Sequence, residues 1–127
     1  IIAHPQGTTT YGNGPHWNNW NGDGGTSNQD DIGFIDALIS LLQTLYNIDD
    51  QRVYSTGMSN GGFFSYHLAC NLGARIAAVA SVTGTMSPQT YSSCSPTRPI
   101  SVKQMHGLQD SVVPFLGLHR LGLSLTD

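Results

Sequence analysis

Charge is scarce in this chain. Asp, Glu, Lys and Arg make up 10% of its 127 residues, against about a quarter in ordinary soluble domains. Five basic residues against eight acids leave a net charge of -3, with no basic stripe to engage a nucleic acid. Long hydrophobic runs are missing too, and nothing approaches the roughly 20 apolar residues of a membrane span. Cysteine is nearly absent. Cys70 and Cys94 are the two present, which allows one bridge and excludes a cysteine-rich metal centre. The stretch Asn21-Gly22-Asp23-Gly24-Gly25 lacks the alternating acids and closing Glu of a calcium loop, so neither a metal nor a cofactor is expected. What remains is one domain at most, with a surface built from Ser, Thr, Asn and Gln. It is short for an α/β enzyme, which commonly runs to roughly 200–250 residues.

Against that background, Gly57-Met58-Ser59-Asn60-Gly61 carries the most information. With 15 glycines in the chain the bare pattern says little, but its context says more. A strand-like run, Arg52–Thr56, precedes it, and Val53 and Tyr54 favour strand. A proline-free segment, Gly61–Leu72, follows with Phe63, Phe64, His67 and Leu68 at helical spacing. Strand, Gly-x-Ser-x-Gly, helix is the pattern of a nucleophile elbow. The turn is tight, so a side chain two residues to either side of the serine is expected to clash. The Ser59 hydroxyl would then stand above the sheet edge at a helix N-terminus, where free N–H groups favour a developing negative charge. Acyl transfer is the chemistry this suits.

The rest of the chain alternates in the same way. Ile1–Ala3 reads as the tail of a buried strand, entered mid-strand and closed by His4-Pro5-Gln6-Gly7. Thr8–Gln29 is a long Gly- and Asn-rich loop, too long to be structureless without a function or a packing role. Asp30 and Asp31 open a helix with negative charge at its positive end. Ile32, Ile35, Leu38, Ile39, Leu42, Leu45 and Tyr46 give that helix one apolar face, and Asn47–Asp50 ends it. Ile76–Val82 is a nearly continuous apolar run, as in a parallel strand buried on both faces. The Thr83–Pro99 loop carries no expected helix and leads to a strand at Ile100–Met105. Alternating strands and helices make a parallel α/β sheet.

A second catalytic candidate follows the last strand, in His106-Gly107-Leu108-Gln109-Asp110. Functional groups of open α/β sheets collect at the carboxyl ends of strands, and Ser59 and Asp110 both lie there. Ser before Asp is also the order of the elbow-bearing triads. His106 is too close to Asp110 to be the base and is expected to brace its loop. His67, two helical turns past Ser59, is expected to pack or face solvent, and His4 and His16 precede the elbow. His119 follows Asp110 by nine residues, with little chain to loop back to Ser59. Trp17 and Trp20 would either line an aromatic or sugar-binding cleft or pin the long loop to the core. For Cys70, near the end of the elbow's helix, a buried thiol is conceivable. Cys94, in a Ser-, Thr- and Pro-rich loop, fits a disulfide better, and that bridge would imply an oxidising compartment.

These residues resemble a known family. Arg52-Val53-Tyr54-Ser55-Thr56-Gly57-Met58-Ser59-Asn60-Gly61-Gly62 looks like the elbow of the secreted polyhydroxybutyrate-depolymerase and feruloyl-esterase-like α/β-hydrolases. So do Asp30-Asp31-Ile32-Gly33-Phe34-Ile35, Leu68-Ala69-Cys70, and His106-Gly107-x-x-Asp110 with Val113-Pro114. The resemblance implies an exported esterase, secreted or periplasmic, acting on polyester or on aromatic or acetyl esters of plant polysaccharide. Ser59 would be the nucleophile, Asp110 the triad acid and the Asn60 N–H an oxyanion donor. It further implies a partial α/β-hydrolase fold lacking N-terminal strands and the C-terminal end. Residues 1–115 would form the central part of the catalytic domain, and 116–127 an atypical, disrupted tail. The family's triad histidine lies well beyond the Asp, and the strand whose loop gives the other oxyanion N–H precedes Ile1. This chain alone is therefore expected to be inactive. An amidase or peptidase on the same fold, a non-catalytic polysaccharide-binding fragment and an incomplete, poorly folding piece are the rival readings.

Overall fold

A computed structural model describes residues 1–8, 14–19 and 29–116. Three strands form one parallel sheet in the order β1 (Tyr54–Met58), β2 (Ala78–Val82), β3 (Ser101–Met105). Tyr54, Ala78 and Ser101 stand in register at one end, and Met58, Val82 and Met105 at the other. Three helices, α1 (Asp31–Leu45), α2 (Asn60–Asn71) and α3 (Pro88–Ser93), lie between the strands in sequence or precede them. This is the expected α/β class. The boundaries differ at β1, which continues through Gly57 to Met58, the residue before the serine.

Asp30 caps α1, its side chain accepting the Gly33 N–H at 2.8 Å, and Asp31 sits in the first turn. Ile35 and Ile39 join Phe64, Leu68, Ala69, Ile76 and Val79 in the core. The far end of the expected apolar face is not covered: Leu45 and Tyr46 are exposed. A second correction concerns α3. The Ser87-Pro88 pair is a helix start, with serine as N-cap and proline at the first turn, and the Ser87 hydroxyl accepts the Thr90 N–H at 3.1 Å. A third concerns Ile1–Ala3, which is no strand here. Ile1 and Ile2 are 77% and 83% exposed, since no described strand lies beside them to complete a ladder.

Helix α2 packs against β1 and β2 on one face of the sheet. There Ser55 Oγ meets Ser65 Oγ at 2.9 Å, and Ser65 also donates to Gly61 O. Tyr54, Met58 and Met105 occupy exposed positions on the strands. Arg75, just after α2, ties it to α1 through Asp36 at 2.6 Å and through Ser40 and Gln43. Cys70 and Cys94 are bonded, with Cα atoms 4.8 Å apart. The bridge fastens the end of α2 to the residue that ends α3. With its ends 24 positions apart in sequence, its removal by Cys94→Ser should cost the full-length protein about 3 kcal/mol on the chain-entropy argument. A melting temperature unmoved by that change would mean the bridge constrains little.

Candidate active site

The strand-to-helix reversal takes place over one residue. Met58 ends β1, Asn60 begins α2, and Ser59 between them has φ 51 and ψ -117. A non-glycine residue held there stores about 1–3 kcal/mol of strain, and the surroundings enforce it. The Ser59 N–H donates to Val82 O at 2.9 Å, while Ser59 O accepts the N–H groups of Gly62 at 2.8 Å and Phe63 at 3.0 Å. The side chain is left exposed at the tip of α2. The N–H groups of Asn60 and Gly61 precede the helical ladder and belong to the positive end of the helix.

The expected clash exists on one side of the serine only. A Cβ on Gly57 would run into the Gly61 carbonyl and sit 2.8 Å from Gly61 Cα, whereas a Cβ on Gly61 would meet open space. The second forced contact is elsewhere. A Cβ on Gly62 would come within 3.0 Å of the Gly84 backbone, and one on Gly84 would strike Gly62 and Phe63. The first turn of α2 and the loop after β2 thus touch backbone to backbone. Thr83 in that loop is the other described non-glycine residue with positive φ, at 60°, and its N–H donates to Met105 O at 2.8 Å.

Asp110 follows β3, two strand spacings or about 10 Å across the sheet from the elbow, with β2 between. It closes a turn in which its N–H donates to Gly107 O. One carboxylate oxygen, Oδ1, accepts the N–H groups of Val112 and Val113, both at 2.9 Å. These bonds, Val113's first, hold its pKa below the usual carboxylate range. Oδ2 is approached by His106 Nε2 at 3.7 Å, beyond hydrogen-bond length. His106 does brace this loop: its Nε2 lies 2.6 Å from Val113 O, and its ring meets Phe115 edge-on.

The remaining candidates divide. His67 is buried, packed on Phe64 and within 3.2 Å of the Thr90 hydroxyl, and burial pushes its pKa down. It therefore lies inside the fold rather than at the elbow. The Trp17 indole stacks on Phe64 at 4.9 Å and lies near-parallel to Phe34 at 6.3 Å. Its backbone flanks the residue after Ser59: the Asn60 side chain accepts the Trp17 N–H at 2.8 Å and donates to Trp17 O at 3.1 Å. Asn18 N–H is held by the Asp31 carboxylate at 2.7 Å. Sequence reasoning gave Asn60 a backbone role and missed this side-chain clamp; an amide-bearing residue directly after the serine was the available signal. Trp20, His119, the Asn21–Gly25 stretch and the tail from residue 117 lie outside the described residues. Among the described residues no three His, Cys, Asp or Glu side chains gather as a metal site, and no helix is long and apolar enough to cross a membrane.

A strained serine between a parallel strand and a helix, with an aspartate two strands away, invites comparison with known hydrolases. Residues 1–112 match the prolyl oligopeptidase family. The chain belongs to this family. Its three-stranded parallel sheet with flanking helices is a partial α/β-hydrolase fold, and its similarity to feruloyl esterases, expected from the elbow, is found among curated proteins. Feruloyl esterase C of Emericella nidulans is 33% identical over 122 residues, 92% of this chain and 41% of that protein. A probable feruloyl esterase C of Aspergillus clavatus is 34% identical over 99 residues, 77% of this chain and 34% of that protein. A bifunctional acetylxylan esterase/xylanase of Neocallimastix patriciarum is 33% identical over 85 residues, 67% of this chain and 12% of that protein. The chain thus spans well under half the length of each.

Proposed function

We propose that the chain is the elbow-bearing part of a serine carboxylesterase that cleaves aromatic or acetyl esters of plant polysaccharide. The observation that carries this reading is the backbone of Ser59: a positive φ at the junction of β1 and α2, on the sheet edge it shares with Asp110. Ser59 Oγ attacks the ester carbonyl while a histidine takes its proton, and Asp110 Oδ2 orients that histidine. The Asn60 N–H donates to the oxyanion. Alcohol leaves, water attacks the acyl-enzyme, and the acid is released. The Trp17 segment, held against Asn60, lines the substrate cleft beside Ser59. Trp17→Ala should then raise KM for aryl esters more than it lowers the melting temperature, and the reverse would make Trp17 a core anchor.

The base lies beyond the described residues. Of the described histidines at the sheet, His67 is engaged by Thr90 and His106 by Val113. Residues 1–127 by themselves should turn over an activated ester poorly, because His119, the one histidine after Asp110, follows it by only nine residues; robust hydrolysis abolished by His119→Ala would make His119 the base. The disulfide supports export to an oxidising compartment.

The decisive assay gives full-length protein matched feruloyl, acetyl and polyhydroxybutyrate esters beside the corresponding anilides. Aryl and acetyl esters should be the preferred substrates. The family's description names a peptidase, so anilide turnover exceeding ester turnover would reassign the protein to amide cleavage, and a preference for polyhydroxybutyrate would move it to polyester.

A further inference from the structure

Tyr66, Gln104 and the ring proton of His106 form one hydrogen-bonded chain that leads from the elbow's helix to the Asp110 loop. The Tyr66 hydroxyl on α2 donates to Gln104 Oε1 at 2.8 Å. Gln104 Nε2 on β3 faces Gly84 O at 2.9 Å and His106 Nδ1 at 3.0 Å. His106 Nε2 in turn lies 2.6 Å from Val113 O. Val113 N–H, on the same residue, binds Asp110 Oδ1.

The chemistry of these atoms fixes each proton. A backbone carbonyl only accepts, so the Gln104 atom facing Gly84 O is the amide nitrogen. Its two hydrogens go to Gly84 O and to His106 Nδ1, and its oxygen accepts from Tyr66. Facing an N–H donor, Nδ1 must present its lone pair. The neutral ring therefore carries its proton on Nε2, which faces an acceptor, Val113 O. With the His106 side chain 2% exposed, water offers no alternative partner. The opposite tautomer would set a donor against a donor at Gln104 and two acceptors 2.6 Å apart at Val113.

We infer that Gln104, oriented by Tyr66 and the Gly84 carbonyl, is a positioning residue for the reaction. It locks His106 as the Nε2–H tautomer, and that N–H holds the Val113 peptide so that Asp110 keeps Oδ1 on the loop and Oδ2 toward the base. This rests on the reading of Asp110 as the triad acid. Gln104 touches no substrate, and its effect is on how the acid is aimed. Because Gly84 also closes on Gly62 beside Ser59, the same carbonyl loop registers the nucleophile and the acid against each other.

The test uses full-length protein carrying 15N-labelled histidine rings, with the His106 signals assigned by their loss in His106→Asn. Long-range proton–nitrogen spectra of the wild type should show the Nε2–H tautomer. In Gln104→Glu a carboxylate can only accept, so Nδ1 should acquire a proton, and kcat for an ester should fall about 10–100-fold with KM changed less than about twofold, as for loss of a supporting hydrogen bond. Tyr66→Phe should cost less, about threefold, since Gly84 O still orients the amide. A wild-type His106 protonated on Nδ1 overturns the inference whether or not the variants fold. So does Gln104→Glu with wild-type kcat while Asp110→Asn is inactive. Full activity in Asp110→Asn would instead remove the triad reading itself, and this inference with it.

Discussion

Ser59→Ala in the full-length protein is expected to lower ester turnover by about 10⁴–10⁶-fold, the range seen when a triad nucleophile is lost. KM should change little, because the N–H groups at the tip of α2 and the cleft walls are untouched. Folding should change little too. Ser59 is exposed and its side chain makes no capping hydrogen bond to α2, and alanine carries the same Cβ into the same strained backbone. Ser59→Gly separates the two effects further. Glycine tolerates φ 51, so it should abolish turnover while raising stability by about 1 kcal/mol. A Ser59→Ala protein that keeps turnover within about tenfold of wild type would end the serine mechanism. A glycine variant less stable than wild type would mean the observed φ is not strained.

What the sequence made legible here was local and periodic. The elbow was readable because a strand, a Gly-x-Ser-x-Gly turn and a helix must each follow within a few residues. The position of Asp110, just past the carboxyl end of β3, was readable because a parallel sheet sends every strand's carboxyl end to one edge. The disulfide was favoured because a cysteine set among serines in a polar loop has little reason to be buried. The misreadings have physical causes. Gly61 sits symmetrically about Ser59 in sequence, but the direction of Cβ on the backbone makes only Gly57 sterically obligatory. Gly84 lies well downstream of the elbow, and no local pattern announces that it meets Gly62. The Ser87-Pro88 start of α3 is a local signal, but the segment after it is too short and polar to show a helical apolar period. Ile1–Ala3 has the composition of a strand, but a strand exists only where another backbone pairs with it. The Asn60 clamp on Trp17 and the Tyr66–Gln104–His106 chain join residues far apart in sequence, so only their coordinates reveal them.

Asp110→Asn is the sharpest test of how the two ends of the site cooperate, with an expected loss of about 10⁴-fold in kcat. The substitution keeps the shape of the side chain. The amide oxygen can still accept the Val112 and Val113 N–H groups that now reach Oδ1, so the loop should stay in place and the melting temperature should move little. What changes is the atom presented to the base. Oδ2 is an acceptor, while the amide nitrogen that replaces it is a donor. A histidine meeting that nitrogen must turn its lone pair toward the new amide and keep its proton on the side facing Ser59. It then cannot take the serine's proton, and the imidazolium that would form has lost its counter-charge. KM should remain within about threefold, since no substrate contact is altered. Glutamate at this position should fail differently: its extra methylene displaces the carboxylate from the two valine N–H groups, so stability and turnover should fall together. If Asp110→Asn keeps more than about a tenth of wild-type kcat while Ser59→Ala is inactive, the acid that orients the base lies elsewhere in the full-length protein, and Asp110 is a turn residue whose lowered pKa reflects chiefly the Val113 and Val112 bonds.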